Sequence, residues 1–245
     1  CGAKMPIIAL VFGAIAGGNT EATWWIAPLF YFLGVIAIII SGIMLKKTKM
    51  FAGPTSPFVM ELPSYHMPTV KSILMSTWDR IKGYIVKAGT IIFLSTIVIW
   101  FLMNFGFYEG SFGLLDTEME GYIQYSLMAG LGNALAWVFA PLGFGDWRVS
   151  TALITGFTAK ESVVSTLTVL LGGDTAALST MFTPFTAVVF LVFTLLYTPC
   201  VAAVAAVKRE LGGAKAAAGV VLMQCAIAWV VAFVVHLVGG LFGLV

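Results

Sequence analysis

The stretch WWIAPLFYFLGVIAIIISGIML, Trp24–Leu45, decides the class of fold because its 22 residues carry no charged side chain. A helix that crosses a bilayer needs about 20 mostly apolar residues, and tryptophans at one end suit the membrane interface. The whole chain has the same character: 60% of its 245 residues are hydrophobic and 10% are charged, against roughly 45–50% and about 25% in soluble domains. The sequence therefore predicts an all-α, polytopic membrane protein and disfavours a soluble enzyme. The formal net charge of +2 predicts no nucleic-acid partner.

Six further apolar segments predict membrane helices. They span residues 6–18, 84–107, 121–139, 147–171, 182–207 and 216–238. The loop over residues 46–87 is rich in lysine and arginine, whereas the loop after the segment 84–107 carries carboxylates and no basic residue. By the positive-inside rule the basic loop is cytoplasmic and the acidic loop lies outside. The C-terminus lies outside if the last segment crosses fully.

Part of the basic loop has the pattern of an amphipathic helix. Its apolar face consists of Val70, Ile73, Leu74, Trp78, Ile81 and Ile85, and its polar face includes Lys71, Asp79, Arg80 and Lys82. Such a helix either lies along the inner membrane surface or packs against its own protein.

Lys160 and Glu161 stand near the middle of the apolar segment 147–171. Charges inside a membrane segment are costly and usually face a cavity or a partner. Adjacent helical residues point about 100° apart, so the two side chains do not pair with each other. The pattern predicts a discontinuous helix on a substrate path. The alternative is a helix end near an interface, where the pair serves as an anchor.

Tyr197-Thr198-Pro199-Cys200 is a second interruption, within the segment 182–207. A proline removes a backbone donor and disfavours helix at the residue before it, which frees carbonyl groups beside a thiol. These groups suit a borderline-soft divalent metal, and the alternative is a simple kink with a buried, inert cysteine. Cys1 and Pro6 form a comparable element before the span Trp24–Leu45. The repetition of such elements ahead of a span is expected of an inverted-topology repeat.

Five motifs share one resemblance. They are Cys1-Gly-Ala-Lys-Met-Pro6, Glu61-Leu-Pro63-x-Tyr65, Trp78-Asp-Arg80, Gly156-Phe-Thr-Ala-Lys160-Glu161 and Leu196-Tyr-Thr198-Pro199-Cys200. In this order they resemble the bacterial ferrous iron transport protein B (FeoB) family, with Lys4 where arginine is usual. The resemblance covers almost the whole chain.

The resemblance implies a multi-pass importer of Fe²⁺ in the bacterial inner membrane, built from gate-type inverted repeats. This chain would be its C-terminal membrane part. Residues 1–45 would end the first gate repeat, 46–83 would form a cytoplasmic loop with the amphipathic helix, and 84–245 would hold the second gate repeat and the C-terminal helices. The first membrane helices and the GTP-binding domain, with its GTP and Mg²⁺, would be partners that lie outside these residues. No enzymatic activity is therefore expected of the chain itself, and a second copy of it is a further candidate partner.

The same resemblance assigns residues to roles. The candidates for metal or pathway ligands are Cys1, Cys200 and Glu161. The candidates for gating at broken helices are Pro6, Gly156, Lys160, Thr198 and Pro199. The cytoplasmic coupling loop would use Glu61, Pro63, Tyr65, Trp78 and Arg80. Cys225 lies outside the motifs and is interpreted as a packing residue.

Two rival functions remain open on sequence grounds. A gate-type nucleoside transporter would share the architecture but would need amide and aromatic groups that converge on one pocket. A membrane interaction module without a pathway would fit the small-residue pairs and the amphipathic helix. It would leave the charged pair Lys160–Glu161 without a role.

Overall fold

The computed structural model of the protein describes residues 4–15, 25–47, 67–108, 110–116, 121–173, 177–198 and 200–243. The first three helices are α1 (Lys4–Ile15), α2 (Ile26–Lys46) and α3 (Val70–Asn104). A short antiparallel hairpin follows, formed by β1 (Phe105–Tyr108) and β2 (Ser111–Leu114). The remaining helices are α4 (Leu127–Phe139), α5 (Trp147–Thr158), α6 (Ser162–Leu170), α7 (Leu178–Met181), α8 (Pro184–Leu196), α9 (Val201–Glu210) and α10 (Ala214–Leu241).

The expectation of a helical membrane protein with broken helices is confirmed. Within the described residues, three stretches are long and apolar enough to cross a membrane: Ile26–Met44, Pro184–Glu210 and Ala214–Leu241. A fourth is the pair Leu127–Leu142 and Trp147–Thr158, whose two parts meet at an angle of 106°. The β1–β2 hairpin is a small addition that the helical pattern did not predict.

Helix α3 joins two elements that the sequence pattern separates. The amphipathic residues and the start of the next apolar segment belong to one continuous helix of 35 residues. The Thr69 hydroxyl caps this helix by accepting a hydrogen bond from the Ser72 N–H at 3.3 Å. Side chains change from an amphipathic to an apolar pattern along this helix. That change alters what surrounds the helix, but it does not interrupt the backbone hydrogen bonds. No proline lies between residues 70 and 104, and an interior glycine costs only about 1 kcal/mol.

The segment 147–171 does not run straight through the fold. The Thr155 and Thr166 hydroxyls lie 2.9 Å apart and share a hydrogen bond. In a continuous helix eleven residues would separate them by about 16 Å along the axis. Helices α5 and α6 therefore fold back on each other as a helical hairpin. Its tip is the break Ala159–Glu161, so this segment is not the simple span that its length suggests.

Helix α8 forms the centre of the core. Phe190 and Phe193 are buried, and their rings contact the ring of Phe144 at centroid distances of 5.6 and 6.2 Å. Helices α10 and α1 both pack against α8. On α10 the indole N–H of Trp229 donates to the Val138 carbonyl of α4 at 2.9 Å. The break at the C-terminal end of α8 is thereby enclosed by other helices.

Candidate functional site

The tip of the α5–α6 hairpin meets the break between α8 and α9. Lys160, at the tip, is only 4% exposed. Its ammonium group donates to the carbonyl of Thr194 at 3.1 Å and to that of Tyr197 at 3.4 Å. The same ammonium lies 4.0 Å from the centroid of the Tyr197 ring, in cation–π geometry. The two interruptions that the sequence predicts independently are thus in direct contact.

The carbonyl groups at this break are available for a reason that is local to the chain. The last carbonyls of a helix have no intrahelical donor. Residue 199 is proline and has no N–H, which removes the donor that the Leu195 carbonyl would otherwise receive. The Lys4 ammonium of α1 donates to that Leu195 carbonyl instead. Two cations from different elements therefore occupy the negative end of the α8 dipole.

Several buried oxygen atoms around the break have no partner among the described residues. They are Thr194 Oγ1, Tyr197 OH and Thr198 Oγ1. A buried polar atom without a hydrogen bond is destabilising, so such atoms are uncommon in a folded core. A group of them beside two ammonium cations makes the break rich in oxygen atoms that can still accept a donor or a cation.

Gly156 on α5 allows this close approach. A Cβ atom at this position would overlap the Val163 side chain of α6 and would lie 2.8 Å from the Tyr197 hydroxyl. Any larger residue would push the hairpin apart or away from α8. The glycine that the sequence assigns to a broken helix therefore acts in the packing of the hairpin against the break.

The two described cysteines lie beside or on the helices that follow α8. Cys200 is the first described residue after the break, where its carbonyl accepts from the N–H groups of Ala203 and Val204, and its side chain is partly exposed. Cys225 is also partly exposed and lies on α10, which packs against both α8 and α9. The interpretation of Cys225 as a packing residue stays a prediction.

Glu161 does not accompany Lys160 into the core. Lys160 is buried, whereas Glu161 is exposed and directly precedes α6 as its N-cap. The turn of the hairpin explains the separation, since successive residues at its tip point to opposite sides. The two charges act in different surroundings, and their adjacency in sequence does not make them one site.

The other predicted residues are dispersed or lie outside the described residues. Thr198 is 4% exposed at the break. Pro6 is exposed in the first turn of α1, and Trp78 and Arg80 are exposed on α3. Cys1, Glu61, Pro63, Tyr65 and Pro199 lie outside the residues that the structure describes. Within the described residues, no group of three or more His, Cys, Asp or Glu side chains could hold a metal ion.

Comparison with known families and proteins gives a consistent result. The Gate family model, described as nucleoside recognition, matches residues 85–214, and a model of the C terminus of ferrous iron transport protein B matches residues 27–80. The Fe(2+) transporter FeoB of Staphylococcus aureus is 34% identical over 99% of this chain, and that of Methanocaldococcus jannaschii is 36% identical over 98%. A fusion of Fe(2+) transport protein A with FeoB from Porphyromonas gingivalis is 33% identical over 99% of the chain.

The matches cover only part of each relative. The chain spans 35%, 36% and 33% of the three proteins, in the order given. No solved structure gives a significant match to it.

Proposed function

Since the chain belongs to the FeoB family and comprises its C-terminal membrane part with the Gate domain, we propose that it forms part of the Fe²⁺ permeation pathway of a ferrous iron importer. The observation that carries this proposal is the contact between two helix breaks, made by the Lys160 ammonium and the carbonyls of Thr194 and Tyr197. Transport sites are commonly built from such discontinuous helices, whose unwound carbonyls and helix ends bind ions.

The ligand chemistry of the break suits an ion in transit. Carbonyl and hydroxyl oxygen atoms bind Fe²⁺ more weakly than a full set of thiolates or imidazoles, and permeation requires binding that is weak enough for release. Cys200 adds one softer ligand at the edge of this oxygen-rich region. Cys1 would add a second from the other Cys–Pro element. Glu161, exposed beside the hairpin tip, would raise the local cation concentration.

The remaining roles follow from the family. A GTPase domain elsewhere in the full-length protein would gate the pathway, so that GTP and Mg²⁺ act there. The segment with Glu61, Pro63, Tyr65, Trp78 and Arg80 would couple that domain to the membrane part. The protein would reside in the bacterial inner membrane, either alone or as a homo-oligomer.

The test is uptake of Fe²⁺ into cells or proteoliposomes that carry the full-length protein. Cys200→Ser and Glu161→Ala should each reduce uptake several-fold at an unchanged protein level. Glu210→Ala is the matched control, because Glu210 is an exposed carboxylate at the end of α9. Wild-type uptake by both variants would contradict the assignment of the site. Inhibition of uptake by nucleosides, with no effect of iron chelation, would instead support the nucleoside transporter.

A further inference from the structure

Two lysine ammonium groups bind the carbonyl groups at the break between α8 and α9. The Lys160 ammonium contacts the carbonyls of Thr194 and Tyr197, and the Lys4 ammonium contacts that of Leu195. Three carbonyl groups within four residues of one helix end, those of Thr194, Leu195 and Tyr197, thus accept from two ammonium groups. The carbonyl groups and the dipole of α8 stabilise both ammonium groups at the break without a carboxylate partner within the ranges that the structure describes.

We infer that the C-terminal carbonyls of α8 are a binding site for a divalent cation, which the Lys160 ammonium occupies when no metal is bound. A metal ion can enter only when this side chain withdraws from Thr194 and Tyr197. The Lys160 ammonium group and the transported ion then compete for the same carbonyl groups. This inference rests on the proposed function, because it describes how the same pathway is kept closed to leak.

The break contains more oxygen acceptors than the Lys160 ammonium group uses. An ammonium group has three donors, and Lys160 directs two of them to carbonyls. The buried hydroxyls of Thr194, Tyr197 and Thr198 nevertheless remain without a partner in the described part of the chain. Carbonyl and hydroxyl oxygen are ligand types that hard and borderline divalent cations accept. A site made only to bury a lysine would not require these additional acceptors.

Lys160 belongs to a different element from the carbonyl groups that it contacts. It lies at the tip of a hairpin of two short helices, and the residue after it is exposed. The tip and α8 are separate elements, and α8 also packs against α1, α2 and α10. A displacement of the tip alone would therefore separate the ammonium from the carbonyls of Thr194 and Tyr197, as competition for one site requires.

The test compares Lys160→Ala with wild type and with Lys208→Ala in the full-length protein. Lys208 is an exposed lysine on the neighbouring helix α9 and serves as the matched control. Two measurements are made: binding of Mn²⁺ in detergent by electron paramagnetic resonance of the free ion, and GTP-independent influx of Mn²⁺ and Fe²⁺ into anaerobic proteoliposomes.

Lys160→Ala should bind Mn²⁺ at least about tenfold more tightly than wild type, since two charge-assisted hydrogen bonds no longer compete with the metal. Its basal influx should rise by a similar factor, while Lys208→Ala should match wild type. Adding Thr198→Val should reverse part of the gain, because that substitution removes an oxygen ligand and keeps the shape of the side chain.

The outcomes separate the two proposals. A monodisperse Lys160→Ala protein with unchanged Mn²⁺ binding and no added influx would overturn the inference, whether or not wild type imports iron. Gained Mn²⁺ binding in a protein whose wild-type form transports no Fe²⁺ would support the cation site and would contradict the proposed function. Gained influx without gained binding, unaffected by Thr198→Val, would indicate a leak through a loosened fold and would also overturn the inference.

Discussion

Substitution of Gly156 by alanine should weaken the contact between the hairpin and the break. The new Cβ atom would overlap Val163 Cγ2 and would approach the Tyr197 hydroxyl to 2.8 Å. Forcing an extra carbon atom into a packed core typically costs about 1–3 kcal/mol. Alanine also favours helix over glycine by about 1 kcal/mol, so the free energy of unfolding reports a sum of two opposing effects.

A matched control separates these effects. Gly130 lies in the interior of α4, and a Cβ atom there meets nothing within 4 Å. Gly130→Ala therefore gains the helix propensity without the overlap. The difference between the two variants in the free energy of unfolding should equal the packing cost, about 1–3 kcal/mol.

The assay is thermal unfolding of the purified full-length protein in detergent, together with Fe²⁺ uptake by the same variants. Gly156→Ala should melt below Gly130→Ala and should transport less iron, because the hairpin tip is displaced from α8. Val163→Ala in the Gly156→Ala background should recover part of both losses, since it removes the overlapping methyl group. Equal melting temperatures for the two glycine variants would refute the reasoning.

Two further predictions concern the packing of α10. A Cβ atom at Gly239 would overlap the Phe185 ring, so Gly239→Ala should lower the free energy of unfolding by about 1–3 kcal/mol. Gly219→Ala is the control on the same helix, because nothing lies within 4 Å of a Cβ atom there, and it should cause no such loss. Thermal unfolding distinguishes the two variants, and equal stability would contradict the prediction. Trp229→Phe removes a hydrogen bond to an α4 carbonyl and should cost about 0.5–1.5 kcal/mol. Trp137→Phe, at a position that is 82% exposed, is its control, and a similar loss in both would show that the hydrogen bond contributes nothing.

The positions of the helix breaks could be predicted from the sequence because their causes are local. A charged pair within an apolar segment and a proline within another are visible without any knowledge of the fold. Lys160 and Tyr197 each lie at such a position, and the structure interrupts the helices at both. The class of fold follows from similar local information, since Trp24–Leu45 is long, apolar and uncharged.

The partners of these residues could not be predicted, because they depend on distant parts of the chain. Lys160 binds the carbonyl of Thr194, which lies 34 positions away. The hydroxyls of Thr155 and Thr166 join α5 to α6 by a hydrogen bond, and nothing in the sequence distinguishes these two threonines from others in a helix. The sequence predicts that Lys160 and Glu161 do not pair with each other, but it does not show that Lys160 is buried while Glu161 is exposed.

The length of α3 has a mechanical consequence. Its 35 residues span about 52 Å, whereas the hydrocarbon core of a bilayer is about 30 Å thick. The helix is therefore roughly 20 Å longer than the hydrocarbon core is thick. Because α3 is one continuous helix that contacts α4, α5 and α9, a tilt of the helix would also displace its Thr69 end. A change of about 10° in its inclination, with the pivot at Asn104, would move that end by roughly 9 Å.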